Sequence, residues 1–212
     1  MTPRRAGRPR FSVAPVAFRD SPIEGRGVFA RRPFRPGEIV VPYAPRQRRL
    51  PAADPEALAA AGSKLTLFSD RGTVILPDTS VPGGWLCNHS CWPNAELYSS
   101  GEGRIQCARP IAAGEEVTIF YGWVTVNEPG RDPCRCGAAR CRGTIGFDFG
   151  DADARDLELD TERGRAFRAR LDEYGEHLRA IGQEHVLELI AQRLAQVRRR
   201  LAAGSGADAG DG

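Results

Sequence analysis

The chain has 212 residues, 41% of them apolar and 27% charged, with a formal net charge of +3. That length allows one ordinary domain with appendages, or two small ones, and the apolar content is enough for a core. A charge of +3 is too small to argue for bulk nucleic-acid binding, and no apolar run approaches the roughly 18 residues of a membrane span.

The basic side chains are skewed in kind, since Lys64 is the only lysine and all the others are Arg. Together with heavy Gly and Ala usage, this suggests a GC-rich coding sequence and a bacterial source. The start, "MTPRRAGRPR", is basic without an apolar stretch behind it, so it is not a secretory signal, and a cytoplasmic protein is expected. In a reducing compartment its six cysteines are better explained by metal or burial than by disulfides.

In chain order, residues 1–10 carry Arg, Pro and Gly without periodicity and read as a disordered tail. From "VAPVAFRD" the pattern turns β-like, with "GRGVFARR" and "GEIVVPY" as short apolar runs around an "RPG" turn. "DPEALAAAGSK" (54–64) predicts a short helix, with Asp54 as N-cap, Pro55 at the first helical position and Gly62 near the end. Four further runs, "TVILP", "AELYSS", "RIQCARPI" and "EEVTIFYG", predict strands joined through "SSGEG" and "AAGEE" turns. This is a β-rich pattern with one small helix, not an alternating βαβ one.

Beyond about residue 150 the composition changes. Phe167, Leu171, Tyr174, Leu178 and Ile181 recur at helical spacing, as do Leu187, Ile190, Leu194, Val197 and Leu201. The phase slips at Gly182, which predicts two helices or one broken helix. Their apolar stripes fit either a helical appendage packed on the domain or a coiled coil that makes a homodimer. "AAGSGADAGDG" reads as a flexible tail.

Cys134, Cys136 and Cys141 place three thiols within eight residues, with Gly137 to let the backbone fold back. A structural zinc site takes four tetrahedral ligands, so a fourth must come from Cys87, Cys91, Cys107 or one of the three histidines. Cys91 is favoured, because it lies in the polar, turn-like "CNHSCWPN". Cys87 follows "WL" and Cys107 lies in an alternating strand, so both look like buried thiols.

Four stretches, "GRGVFA" (25–30), "NHSCWPN" (88–94), "GEEVTIFYG" (114–122) and "CRCGAARCRGTIG" (134–146), occur in the order found in SET-domain protein lysine methyltransferases. The chain resembles that family over about residues 18–147. The resemblance implies a mainly β, β-clip-like fold of short strands with a pseudoknot, here with a C-terminal α-helical appendage. It divides the chain into a disordered basic start (1–10), a SET domain (11–126), a post-SET zinc segment (127–150), a helical region (151–203) and a disordered tail (204–212).

It also implies S-adenosylmethionine as methyl donor and a lysine side chain as acceptor, on a basic protein of nucleoid, ribosomal or histone type. Carried over by position, Cys91, Cys134, Cys136 and Cys141 hold a structural Zn2+. Gly25, Arg26, Gly27, Asn88, His89 and Tyr121 contact the cofactor, and Tyr121 is the catalytic tyrosine. Tyr43, Phe68, Trp92, Tyr98 and Trp123 are candidates for the apolar sleeve around the acceptor lysine. Ile119 matches a position that tunes the number of methyl groups, and its small size suggests room for more than one.

Two departures concern the pocket: Trp85-Leu86-Cys87 stands where many members have Arg-Phe-Ile/Met, and Phe120 replaces the usual Asp before the tyrosine. A competing reading is a catalytically silent SET module that binds a partner through its helices. A zinc-dependent DNA-binding module is disfavoured, because Arg46, Arg48 and Arg49 make only a short patch beside prolines and no basic recognition helix follows.

Overall fold

The computed structural model describes residues 15–51, 53–56, 67–68, 73–98, 103–122, 124–127 and 132–205. The tails at 1–10 and 206–212, the "SSGEG" turn up to Glu102, the body of the helix expected over 54–64, Lys64 and Trp123 lie outside the described residues. The chain forms two compact units. The first comprises the chain up to Asn88 together with Asn94–Ile119, and the second comprises His89–Pro93 with everything from Phe120 onward.

The first unit is built of short strands. β1 (Val16–Asp20) runs antiparallel to β2 (Arg26–Ala30), pairing Val16 with Ala30 and Asp20 with Arg26. β3 (Ile39–Pro42) follows the "RPG" turn, where Gly37 takes a φ of 88°. β4 (Gln47–Pro51), β5 (Leu67–Phe68) and β6 (Thr73–Pro77) make a small sheet in the order β4-β6-β5. A single 3-10 turn (Gly84–Leu86) leads into β7 (Asn88–His89). β8 (Ala95–Tyr98) and β9 (Arg104–Cys107) pair with β3 in the order β3-β9-β8, and β10 (Glu116–Ile119) joins the sheet β1-β2-β10-β7.

All seven β-like stretches in this region therefore hold strands. Their apolar residues Val28, Val41, Val74, Ile105 and Val117 lie in the interior. β4 was not expected. Its "QRRLP" sequence has no apolar alternation, and it forms through five paired residues with β6. Of the predicted helix at 54–64, the described part keeps its N-cap, since Asp54 Oδ1 accepts from the Glu56 N–H at 2.9 Å.

The second unit holds the remaining elements. β11 (Val124–Val126) pairs in parallel with β12 (Phe147–Phe149). Three helices follow: α1 (Asp151–Asp156), α2 (Glu162–Ala180) and α3 (His185–Ser205). Thr161 caps α2, its hydroxyl accepting from the Gly164 N–H at 3.0 Å. α2 ends as the phase slip predicted: Gly182 takes a φ of 70°, and the Gln183 N–H reaches back to the Leu178 carbonyl at 2.8 Å. This is a Schellman stop, which satisfies carbonyls the helix leaves open.

Both apolar stripes are buried in the chain's own core. Phe167, Tyr174 and Leu178 of α2 pack with Val186, Ile190, Leu194 and Val197 of α3 around Phe120, Phe147 and Phe149. Of the two uses the stripes allowed, packing within the chain is the one observed. The burial on α3 begins at Val186, with Leu187 only partly covered. No helix among the described residues is long and apolar enough to cross a membrane.

Candidate functional site

In the first unit the residues of the glycine loop gather around one carboxylate. Gly25 lies between β1 and β2 with a φ of 50°, and its α-carbon faces open space. The Asn88 amide, carried at the end of the 3-10 turn, donates through Nδ2 to the Glu24 carbonyl at 3.1 Å, the Arg26 carbonyl at 3.3 Å and Glu116 Oε1 at 2.8 Å. The Ser21 hydroxyl donates to both oxygens of Glu116, at 2.8 and 2.9 Å. A Cβ at Gly27 would run into the Glu116 carboxylate and push it aside. The structure thus brings Arg26, Gly27 and Asn88 together beside Gly25. Ser21 and Glu116, which complete the arrangement, were not singled out, since only the fold joins residues 95 apart in sequence.

Asn94, the last residue of "CNHSCWPN", is a second organiser of this unit. Its Nδ2 donates to Glu115 Oε1 and to the Glu116 carbonyl, both at 2.8 Å, and its Oδ1 accepts from the Thr118 N–H at 2.8 Å. The amide thereby fixes the backbone of β10, the strand that leads into Phe120 and Tyr121.

In the second unit His89 and Tyr121 meet. The Tyr121 N–H donates to His89 Nδ1 at 3.2 Å, and the two rings stand edge to face with centroids 5.4 Å apart. Burial, helped by the charges of His177 and Arg142, lowers the His89 pKa to about 4, so the ring is neutral. With Nδ1 accepting, the ring proton belongs on Nε2, which lies 3.5 Å from Cys91 Sγ. One imidazole therefore links the backbone of Tyr121 to a cysteine. Gly122, with a φ of 62°, turns the chain directly after the tyrosine.

The sulfur atoms of Cys91, Cys134, Cys136 and Cys141 all lie within 4.8 Å of one another, and Cys91 and Cys134 are 3.7 Å apart. Tetrahedral zinc with Zn–S bonds of about 2.3 Å sets its sulfurs about 3.8 Å apart, so the spacing fits that ion. The loop folds back at Gly137, φ 66°, as its position predicted. Backbone N–H groups also aim at sulfur, from Arg142 to Cys91 and from Gly143 to Cys141, both at 3.4 Å.

Burial pushes the Cys91 thiol up to about 11. At Cys136 burial acts in the same direction but is outweighed by N–H groups of Cys91 and Ala138 and by the neighbouring thiols, which bring it down to about 7. Four thiolates this close repel strongly, and a divalent cation removes that conflict. The donor set is compatible with a four-coordinate zinc and leaves no ligand position for water. Cys87 and Cys107 are buried and stand apart from the cluster, as their surroundings in the sequence indicated.

The sleeve candidates are dispersed. Tyr43 is buried in the first unit, where burial raises its phenol pKa, and Tyr98 lies at that unit's surface with its hydroxyl donating to Glu96 Oε2 at 2.9 Å. Trp92 lies in the second unit beneath the Arg140 guanidinium, 5.0 Å from the ring centroid. The side chain of Phe68 lies outside the described residues, as does all of Trp123.

Known proteins are similar to this chain in sequence. The SET domain family matches residues 25–122. Histone-lysine N-methyltransferase ATX2 of Arabidopsis thaliana is 32% identical over 161 residues, which is 71% of this chain and 14% of that protein. Histone-lysine N-methyltransferase SETD1 of Drosophila melanogaster is 32% identical over 64% of this chain and 9% of its own length. An H3 lysine-4 specific histone-lysine N-methyltransferase of Eremothecium gossypii is 32% identical over 62% of this chain and 14% of its own length. The chain thus spans less than a sixth of each of these relatives. They come from a plant, an insect and a fungus, and the expectation of a bacterial source is not borne out.

Proposed function

This chain carries a SET domain homologous to those of histone-lysine N-methyltransferases, and on that premise we propose that it is an S-adenosylmethionine-dependent protein-lysine N-methyltransferase. Its substrate is a lysine of a basic protein, with histones the class that the relatives' names favour. The observation that carries the reading is the His89 imidazole, which accepts from the Tyr121 N–H and lies against Cys91 of the four-thiol cluster.

S-adenosylmethionine supplies a methyl group on a cationic sulfonium, which an amine takes by in-line displacement. The chain's part is binding, orientation and desolvation. The open face at Gly25 allows a ligand to approach the backbone closely. Among the described residues the Asn88 amide makes its contacts through Nδ2, which leaves Oδ1 to accept from an ammonium group. Glu116 and Ser21 hold that amide in place.

The incoming amine must be neutral, at a cost of about 4 to 5 kcal/mol for a free lysine at pH 7. A dry channel and a neighbouring positive centre both favour the uncharged form. Tyr121 is the catalytic residue, its phenol orienting the amine and receiving weak C–H···O contacts from the methyl group in transfer. His89 fixes the backbone of that tyrosine. Ile119, two residues earlier and buried, leaves space for more than one methyl group. Zinc at Cys91, Cys134, Cys136 and Cys141 is structural and fixes the 89–93 segment to the 134–146 loop.

The test is calorimetric titration with S-adenosylmethionine, coupled to transfer of labelled methyl groups onto a panel of histones and other lysine-rich proteins. Cofactor binding and label on protein lysine are expected. A chain that neither binds the cofactor nor transfers label contradicts the proposal and favours a SET module that only binds a partner.

A further inference from the structure

The Arg142 side chain ties the last ligand-bearing turn of the cysteine loop to the C-terminal helices. The backbone N–H of Arg142 donates to Cys91 Sγ at 3.4 Å. Its guanidinium lies 4.0 Å from the centroid of the Tyr174 ring and donates through Nη1 to the Gly146 carbonyl at 3.1 Å. Tyr174 is a fully buried residue of α2. Its ring stacks on Phe147, with centroids 4.9 Å apart and planes 15° from parallel. The phenol is thus layered between an aromatic ring and a guanidinium, an arrangement suited to planar Arg and poorly matched by Lys.

The hydroxyl of Tyr174 has no hydrogen-bond partner among the described residues, so the ring rather than the polar tip makes the contact. The same part of α2 meets the residue before Tyr121, since the Phe120 ring lies 6.5 Å from Tyr174 and 6.1 Å from His177.

We infer that Arg142, stacked on Tyr174 of α2, is a positioning residue of the zinc site, and that the C-terminal helices are thereby a working part of the enzyme. The immobilised guanidinium fixes the Arg142 backbone, and with it the N–H aimed at the Cys91 sulfur. Such outer contacts orient a metal ligand and tune its electron density. The inference rests on the zinc site proposed above.

The experiment is a competition between the full-length protein and a metallochromic chelator for zinc, with helix content followed by circular dichroism. Arg142→Ala should weaken zinc affinity by about 10-fold or more while helix content stays at the wild-type level. Arg142→Lys, which keeps the charge but not the stacking plane, should fall in between. Tyr174→Phe keeps the ring face and should hold zinc as the wild type does, whereas Tyr174→Leu should weaken binding. In the Tyr174→Leu background, Arg142→Ala should add little, because the two changes remove one contact. Wild-type affinity in Arg142→Ala, or full additivity of the pair, overturns the inference alone. A wild-type chain that takes up no zinc overturns the zinc reading and the inference together.

Discussion

The two units are held by different means. In the first, order comes from strands that bury one face and from amides and carboxylates whose bonds are made within the unit, such as Asn88, Asn94, Ser21 and Glu116. In the second, His89–Pro93 lies with a chain that resumes at Phe120, and the contacts involve a thiol cluster, one imidazole and the aromatic core of three helices. The proposed chemistry divides between them, with the glycine loop proposed for the cofactor in the first and Tyr121, the proposed catalytic residue, in the second. The lesson is that metal loss and backbone substitution should damage the two parts separately.

The largest effect is expected from stripping the metal. Zinc bound by four thiolates contributes about 10–16 kcal/mol in small structural sites, so a chelator or Cys134→Ser should loosen the second unit. Hydrogen exchange should quicken at Arg142, Gly143 and Tyr121, whose N–H groups face sulfur or His89, while amides of β2 and β10 stay protected. Equal loss of protection in both units would erase the distinction.

Next comes Asn94→Ala, which acts in the first unit. It leaves the Thr118 N–H without its side-chain acceptor and removes the Asn94 donor from the Glu116 carbonyl, at a cost of about 2–4 kcal/mol in urea unfolding. Zinc content should not change. An effect below about 1 kcal/mol would mean that β10 is fixed by its strand pairing alone.

Gly27→Ala is a smaller and more local change. The new Cβ would meet Glu116 Oε1 at 2.2 Å, and moving the carboxylate disturbs its bond from Asn88. With the Asn88 amide no longer held by Glu116, S-adenosylmethionine binding should weaken roughly tenfold in calorimetry, which is about 1.4 kcal/mol. Unaltered affinity would separate Glu116 from the cofactor loop.

The smallest effect is expected from Tyr174→Phe. The buried hydroxyl has no partner among the described residues, so its removal should shift stability by less than about 0.5 kcal/mol, or raise it slightly. A clear loss in a thermal melt would reveal a partner for that oxygen.

What could be read from the sequence follows the same division. "RIQC" was legible because its period-2 burial is local information, and "RGVFA" because it is a short apolar run, buried along four of its five residues. The helices were legible through their 4-3-4-3 stripes, and the break between them through Gly182. β4 was hidden, since "QRRLP" is polar and largely exposed and exists only as a partner of β6. The four-thiol set was open from spacing alone, and the likeness to SET enzymes named the fourth member that the fold brings into the cluster.

The roles of Ser21, Glu116 and Arg142 are not legible in the sequence, for a shared reason. An exposed-looking Ser, Glu or Arg carries no local mark of its use, and each gains its role only from partners distant along the chain. The Phe120 that departs from the usual Asp was legible as a departure but not as a gain. It belongs to the helical core, which a carboxylate at that position would enter only at the cost of desolvation.

Methyl transfer through Tyr121 is tested most directly by single-turnover transfer of labelled methyl groups to a histone substrate by wild type and Tyr121→Phe, with zinc content and cofactor affinity measured on both. The wild type is expected to transfer label onto lysine and Tyr121→Phe to lose roughly 100-fold or more, with zinc and cofactor binding unchanged. Equal transfer by the two proteins would contradict the assignment of Tyr121, and a wild type that neither binds the cofactor nor transfers label would contradict the enzyme itself.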